Sequence, residues 1–130
     1  IGALMDHSVL SLGAFLDTTL VGFVICLLPG TSYGSLNYAW FTDRYERFLY
    51  VDRIAVGPSY RSQQVGAALY TEVIAYAESR GWPVAAEVSV SPPNPGSMRF
   101  HEAHGFKRVG KLEHPGQSVA MLIRPVEGAL

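Results

Sequence analysis

Two apolar runs open the patterned part of the chain. Ser8–Leu16 (SVLSLGAFL) and Leu20–Leu28 (LVGFVICLL) have strand length and flank a short polar break at Asp17-Thr18-Thr19, which predicts an antiparallel hairpin. Neither run alternates much with polar residues, so both faces of this part of the sheet are expected to be covered by helices. Phe48–Val56 (FLYVDRIAV) predicts a third strand that stops at Gly57-Pro58, with Asp52 and Arg53 interrupting its apolar character. From Val65 to Arg80 the period lengthens to that of a helix. Val65, Leu69, Val73 and Tyr76 share one face, Gly66, Tyr70 and Ala77 flank it, and Thr71, Glu72, Glu78 and Ser79 lie opposite. Gly81 and Pro83 supply the stop. Val84–Val90 (VAAEVSV) reads as a strand parallel to Phe48–Val56, because a strand, helix, strand unit takes a right-handed crossover. Asn94 before Pro95 predicts the capped start of a second helix through His104, ended by Gly105. Phe106–Gly110 and Val119–Arg124 then close the sheet as antiparallel strands.

Pro29–Arg47 has neither period. Gly30, Ser32, Gly34, Ser35 and Asn37 interleave with Tyr33, Tyr38, Trp40, Phe41 and Tyr45, which reads as a long functional loop with a short helical turn at Asp43–Arg47. Tyr38 and Trp40, with Asn37 and Ser35 as hydrogen-bonding partners, are candidates for a substrate pocket on this loop.

Composition narrows the class without naming a function. At 130 residues and 48% hydrophobic, residues 1–130 make one domain with a real core. Ten basic against eleven acidic side chains leave a net charge of −1, which argues against a nucleic-acid binder that relies on bulk charge. The single cysteine, Cys26, has no internal disulfide partner and lies in an apolar run, as a packed core thiol would. That run is too short to span a bilayer, and no secretory pattern stands at the start, so no membrane partner and a cytoplasmic setting are the expectation. His7, His101, His104 and His114 show no metal-ligand spacing. The first residue is Ile, so residues preceding it in the encoded protein are expected.

The stretch Arg61-Ser62-Gln63-Gln64-Val65-Gly66-Ala67 lies between a predicted strand and a predicted helix, so its backbone N–H groups form an anion site at a helix N-terminus. This Arg-x-x-Gln-x-Gly-Ala loop follows Asp52-Arg53-Ile54-Ala55-Val56 and precedes Asn94-x-x-Ser97 and Phe100-His101-Glu102-Ala103-His104-Gly105-Phe106. In that order and spacing the motifs resemble the GNAT superfamily of N-acetyltransferases. The chain departs from the family pattern at Gln64, where the first loop glycine is usual, and at His101, where tyrosine is usual.

The resemblance implies a mixed α/β domain, with a centrally splayed β-sheet and helices on both faces in the acyl-CoA N-acyltransferase fold. Acetyl-CoA is the implied acyl donor, its pyrophosphate on the amides of Gln63, Gln64, Val65, Gly66 and Ala67 with Arg61 beside it. A Cβ at Gly66 would crowd the phosphates, and Gln64 is accommodated if its φ is negative. The thioester carbonyl meets backbone N–H groups near Ile54, Ala55 and Val56, and Asn94 and Ser97 lie by the pantetheine arm. Asn94 has a second reading as a helix cap and nothing more. For a base the candidates are Glu87 and, second, Asp52. Glu87 resembles the glutamate in the Leu-Glu-Val segment of the ribosomal-protein N-terminal acetyltransferases, although two additional residues separate it from the asparagine. Its alternative role is an ion pair with Arg53 or another cation. His101 is the candidate acid, since imidazole can donate a proton near neutral pH. The implied function is transfer of an acetyl group to a primary amine, of a small molecule, amino acid or peptide terminus. The alternative is an acyl-CoA-binding or sensor domain without catalysis, and a homodimer is compatible with either.

Overall fold

The computed structural model describes residues 9–28, 36–61 and 64–126. Six strands form a single sheet in the order β1-β2-β3-β4-β6-β5. The hairpin arises as the apolar runs predict, from β1 (Val9–Leu16) and β2 (Thr19–Leu27), turning through Asp17 at φ 54°. Next come α1 (Leu36–Thr42), β3 (Leu49–Val56), a 3-10 turn at Pro58–Tyr60, α2 (Val65–Glu78) and β4 (Val84–Ser91). Finally α3 (Pro95–Ala103) precedes β5 (Lys107–His114) and β6 (Gln117–Arg124), which pair antiparallel.

Among the described strands only β3 and β4 run parallel, and they pair through just Leu49↔Val84 and Tyr50↔Ala85. Beyond those two pairs β3 stays with β2 as far as Val56, while β4 stays with β6 as far as Ser91, so the sheet forks. The cause is local to β3. Ile25 and Cys26 on β2 face Arg53 and Val51, which leaves Asp52 as an additional residue, and such a bulge bends and twists its strand.

The pleat divides the core into two layers. Val84, Ala86 and Val88 of β4 pack with Leu69, Tyr70, Val73 and Ala77 of α2 and with Phe106. On the other face Ala85 joins Tyr38 and Phe41 of α1, Phe48 just ahead of β3, Tyr50 of β3, and Val119, Met121 and Ile123 of β6. Helices therefore cover both faces, at about 1.5–3 kcal/mol for each large apolar side chain buried. Cys26 is fully buried, and burial pushes its thiol up to about 12, as expected of a packing residue.

Two expectations are corrected. Leu36–Thr42 is a helix, not loop, and Asp43–Arg47 is not helical; Tyr38 and Phe41, three apart, form the buried stripe that local composition had masked. The α2 helix ends at Glu78 rather than Arg80, where Gly81 at φ 71° and the Trp82 N–H on the Ala77 carbonyl (3.0 Å) close the last turn. Among the described residues no helix is long and apolar enough to cross a membrane.

Candidate active site

The fork opens onto a cleft of about 800 Å3 on the α2 and α3 side of the sheet. One wall is the free stretch of β3, Ile54, Ala55 and Val56, followed by Tyr60 and Arg61. Another is the start of α2, with Gln64, Val65, Gly66 and Ala67, and the third comes from α3, with Asn94, Gly96, Ser97 and Phe100. Ile54, Ala55, Val56, Arg61, Gln64, Val65, Gly66, Ala67, Asn94 and Ser97, the residues that the resemblance implies for the acyl donor, all line it. Gln63 lies outside the described residues; Tyr60 and Gly96 are additions that carry no motif of their own, and Phe100, the first residue of the Phe-His-Glu-Ala-His-Gly-Phe motif, joins the wall without having been assigned a role.

The start of α2 is suited to an anion. The first bond of the helix runs from the Ala68 N–H to the Gln64 carbonyl (3.0 Å), so the amides of Val65, Gly66 and Ala67 lie ahead of it without a helical partner. These three residues line the cleft at the positive end of a 14-residue helix. Gly22 lets that helix end sit low on the sheet. A Cβ there would stand 2.9 Å from Val65 and 3.1 Å from the Ala55 carbonyl oxygen. A Cβ at Gly66 would meet Phe100 at 3.4 Å and Val56 at 3.9 Å, so larger side chains there enter the cleft between α2 and α3. Gln64 departs from expectation: its φ is +65°, in the left-handed region that glycine adopts without strain. The chain thus keeps the turn that glycine normally makes, with an L-residue in its place.

Asn94 performs the capping role, its side-chain oxygen accepting from the Ser97 N–H at 3.2 Å, and it also lines the cleft. The two additional residues before it are absorbed in a tight turn. Its own N–H donates to the Ser89 carbonyl (3.1 Å), and Ser89 Oγ donates to the Pro92 carbonyl at 2.5 Å.

Glu87 lies two residues past the last β3–β4 pair, on the α1 face rather than among the cleft walls. Its Oε1 accepts from Tyr50 Oη at 2.6 Å and from Asn37 Nδ2 at 2.9 Å. Oε2 is buried and has no hydrogen-bond partner among the described residues. The pairing with Arg53 is not what the fold builds, because Arg53 is exposed and Glu87 is held by neutral donors. Burial raises the Glu87 pKa, the Tyr50 and Asn37 hydrogen bonds pull it back, and the charge of Asp52 adds to the rise. Asp52 itself stands half-buried at the bulge.

Three expected site residues lie elsewhere. His101 is only 4% exposed, ringed by Tyr70, Phe100 and Phe106, and does not line the cleft. Its Nδ1 donates to the Ser97 carbonyl (2.8 Å), so Nε2 must accept from Tyr70 Oη at 2.6 Å. Both nitrogens are engaged and burial lowers its pKa, so the acid role is withdrawn. Tyr38 is a core residue against Phe48 and Tyr50, and Trp40 packs on Phe41 with the Arg44 guanidinium over its ring at 3.8 Å. Of the expected aromatic pocket, Tyr38 is therefore core and Trp40 stands half-buried against it, while Tyr33 and Ser35 lie outside the described residues; α1 brings Asn37 to Glu87. Tyr50 and His114 were missed, since neither stands in a motif. Among the described residues no group of acidic, His and Cys side chains could hold a metal.

Comparison with known proteins bears on this geometry. Residues 3–106 match the family model described as the acetyltransferase (GNAT) family. Among solved structures, the chain is similar to the ribosomal-protein-S18-alanine N-acetyltransferase of Escherichia coli, at 20% identity and TM-score 0.71, over 97% of this chain and 74% of that one. It is likewise similar to Arabidopsis thaliana NAA60 in complex with acetyl-CoA, at 17% identity and TM-score 0.72, over 95% and 79%. A third is an aminoglycoside 6'-N-acetyltransferase complexed with coenzyme A, at 16% identity and TM-score 0.71, over 96% and 77%. No curated protein matches the chain significantly.

Proposed function

The chain belongs to the GNAT acetyltransferase family, whose acyl donor is acetyl-CoA, and from that premise we propose that it transfers an acetyl group from acetyl-CoA to a primary amine by direct attack in a ternary complex. The observation that carries the reading is the pairing of an anion-ready helix start with a buried, half-satisfied carboxylate on the two sides of one fork. The amides of Val65, Gly66 and Ala67 would hold the pyrophosphate, with Arg61 at the rim. The β3 edge at Ile54–Val56, freed by the fork, offers backbone donors to the thioester carbonyl. Acetyl-CoA supplies an acetyl group already activated by a good leaving thiolate.

The chain's own chemistry is proton removal. An acceptor amine is mostly protonated at neutral pH and has no lone pair until a base takes its proton. Glu87 suits that task. Tyr50 and Asn37 fix its Oε1, its orphan Oε2 calls for an N–H donor, and burial moves its pKa toward the working range. Asp52, second as a base, assists here as the like charge that raises Glu87. The acceptors named for similar structures extend from a ribosomal-protein alanine to an aminoglycoside, all amines, and the nearly neutral chain suits a small amine or a peptide terminus.

A binding or sensor role without turnover is the second reading. What favours it is His101, which replaces the usual tyrosine and is walled into the core. Steady-state thiol release from acetyl-CoA over a panel of amines and free-N-terminus peptides, with acetyl-CoA binding measured by calorimetry, separates the two. Acceptor-dependent release supports the enzyme; tight binding with no acceptor-dependent release supports the sensor; absence of binding refutes both.

A further inference from the structure

Glu87 is gripped from further away than its direct partners suggest. His114 ends β5 at the hairpin turn into β6, and its Nε2 stands 2.9 Å from Asn37 Oδ1. Asn37, in the first turn of α1, donates from Nδ2 to Glu87 Oε1 at 2.9 Å. An amide oxygen only accepts, so His114 must carry a proton on Nε2 and donate it. Three elements far apart in sequence thus meet in one directed line, His114 to Asn37 to Glu87.

We propose that Asn37 and His114 are positioning residues for Glu87: Asn37 secures Oε1 so that Oε2 stays turned to the acceptor amine, and His114 locks the Asn37 amide in its donating orientation. The proposal rests on the reading of Glu87 as base. Its physical basis is that a side-chain amide has two opposite ends. Flipped, Asn37 would set its oxygen against a carboxylate oxygen; the Nε2–H of His114 on Oδ1 selects the other orientation. The remaining groups facing Glu87 do not duplicate this. From β3, Tyr50 donates to Oε1 and Asp52 adds a like charge; from β6, Met121 lies directly opposite and is apolar. Among the described residues no cation forms a salt bridge with Glu87. Among the described residues Asn37 is therefore a hydrogen-bonded bridge through which a change at the hairpin reaches the carboxylate. Its hydrogen bond favours the ionised form, as does that of Tyr50.

The test needs no acceptor. In protein labelled with glutamate 13Cδ, the Glu87 resonance is assigned by its loss in Glu87→Gln and titrated in the wild type, Asn37→Ala, His114→Leu and His114→Gln. Losing a hydrogen bond to a carboxylate should move the midpoint up by about one pH unit in Asn37→Ala. His114→Leu should move it in the same direction by less, and His114→Gln, which keeps an N–H donor, should restore the wild-type midpoint. Unmoved midpoints in both Asn37→Ala and His114→Leu overturn the proposal, as does equality of the Leu and Gln variants at His114. Should Asn37→Ala fail to fold, the His114 pair on the hairpin decides alone. Failure of the base reading would be seen separately, as undiminished turnover in Glu87→Gln.

Discussion

Replacing Glu87 by Gln separates chemistry from architecture. The carbonyl oxygen of Gln can still accept from Tyr50 Oη and Asn37 Nδ2, so the two bonds that hold the side chain survive. The change exchanges one buried orphan, Oε2, for an amide NH2, and should leave stability at acid pH within about 1 kcal/mol of the wild type. At higher pH the sign is definite. Burial raises the Glu87 pKa above its ordinary 4.5, so its contribution to stability is full below that value and is lost as pH rises through the folded value. Gln carries no such loss, and the variant should be the more stable protein at neutral and alkaline pH. Turnover should fall about 10²–10⁴-fold, the usual worth of a positioned base, with acetyl-CoA affinity unchanged because Glu87 is not a cleft wall. Thiol release over the amine panel, calorimetry with acetyl-CoA, and denaturant melts from pH 4 to pH 9 cover the three parts. Preserved turnover with lost stability would make Glu87 structural and transfer the base to Asp52.

Gln64→Gly should stabilise the fold by about 0.5–1 kcal/mol in denaturant melts, since relief of a left-handed φ outweighs the added freedom of the unfolded chain. Gly66→Val places methyl groups in the cleft beside Phe100 and should weaken acetyl-CoA binding at least about tenfold by calorimetry; unchanged affinity in the folded variant would remove the anion site from this loop. Tyr38→Ala should cost about 3 kcal/mol of stability by opening the core between α1 and β3, and an effect confined to acceptor KM would restore it to the acceptor pocket. Burial lowers the His101 pKa below its ordinary 6.5, so its contribution to stability is present above that pH and is lost as pH falls through the folded value. Against His101→Gln, the wild type should lose stability on acidification, read from paired melts at pH 8 and pH 5.

Sequence alone determined the elements whose signal is short-range. The β1–β2 hairpin, α2 with its stop at Gly81, the Asn94 cap and the presence of two closing strands follow from period, cap and turn residues within a few positions of one another, although β5 runs to His114, beyond the expected end at Gly110. The unpaired amides ahead of α2 were legible because a helix start exposes amides whatever surrounds it. α1 was not, because its buried stripe of Tyr38 and Phe41 is two residues long and gains meaning only against Phe48 and Tyr50. Tertiary structure also decided which side of the sheet each polar residue served. Glu87 and His101 look equally chemical in the sequence, yet the pleat of β4 and the bulge at Asp52 leave Glu87 at the fork, while the inner face of α3 turns His101 into the core. Its partner Tyr70 comes from 31 residues away, and Asn37 and His114, 77 apart, meet only because α1 lies under the β5–β6 hairpin. Such pairings depend on how sheet layers stack, and no local pattern of residues encodes that.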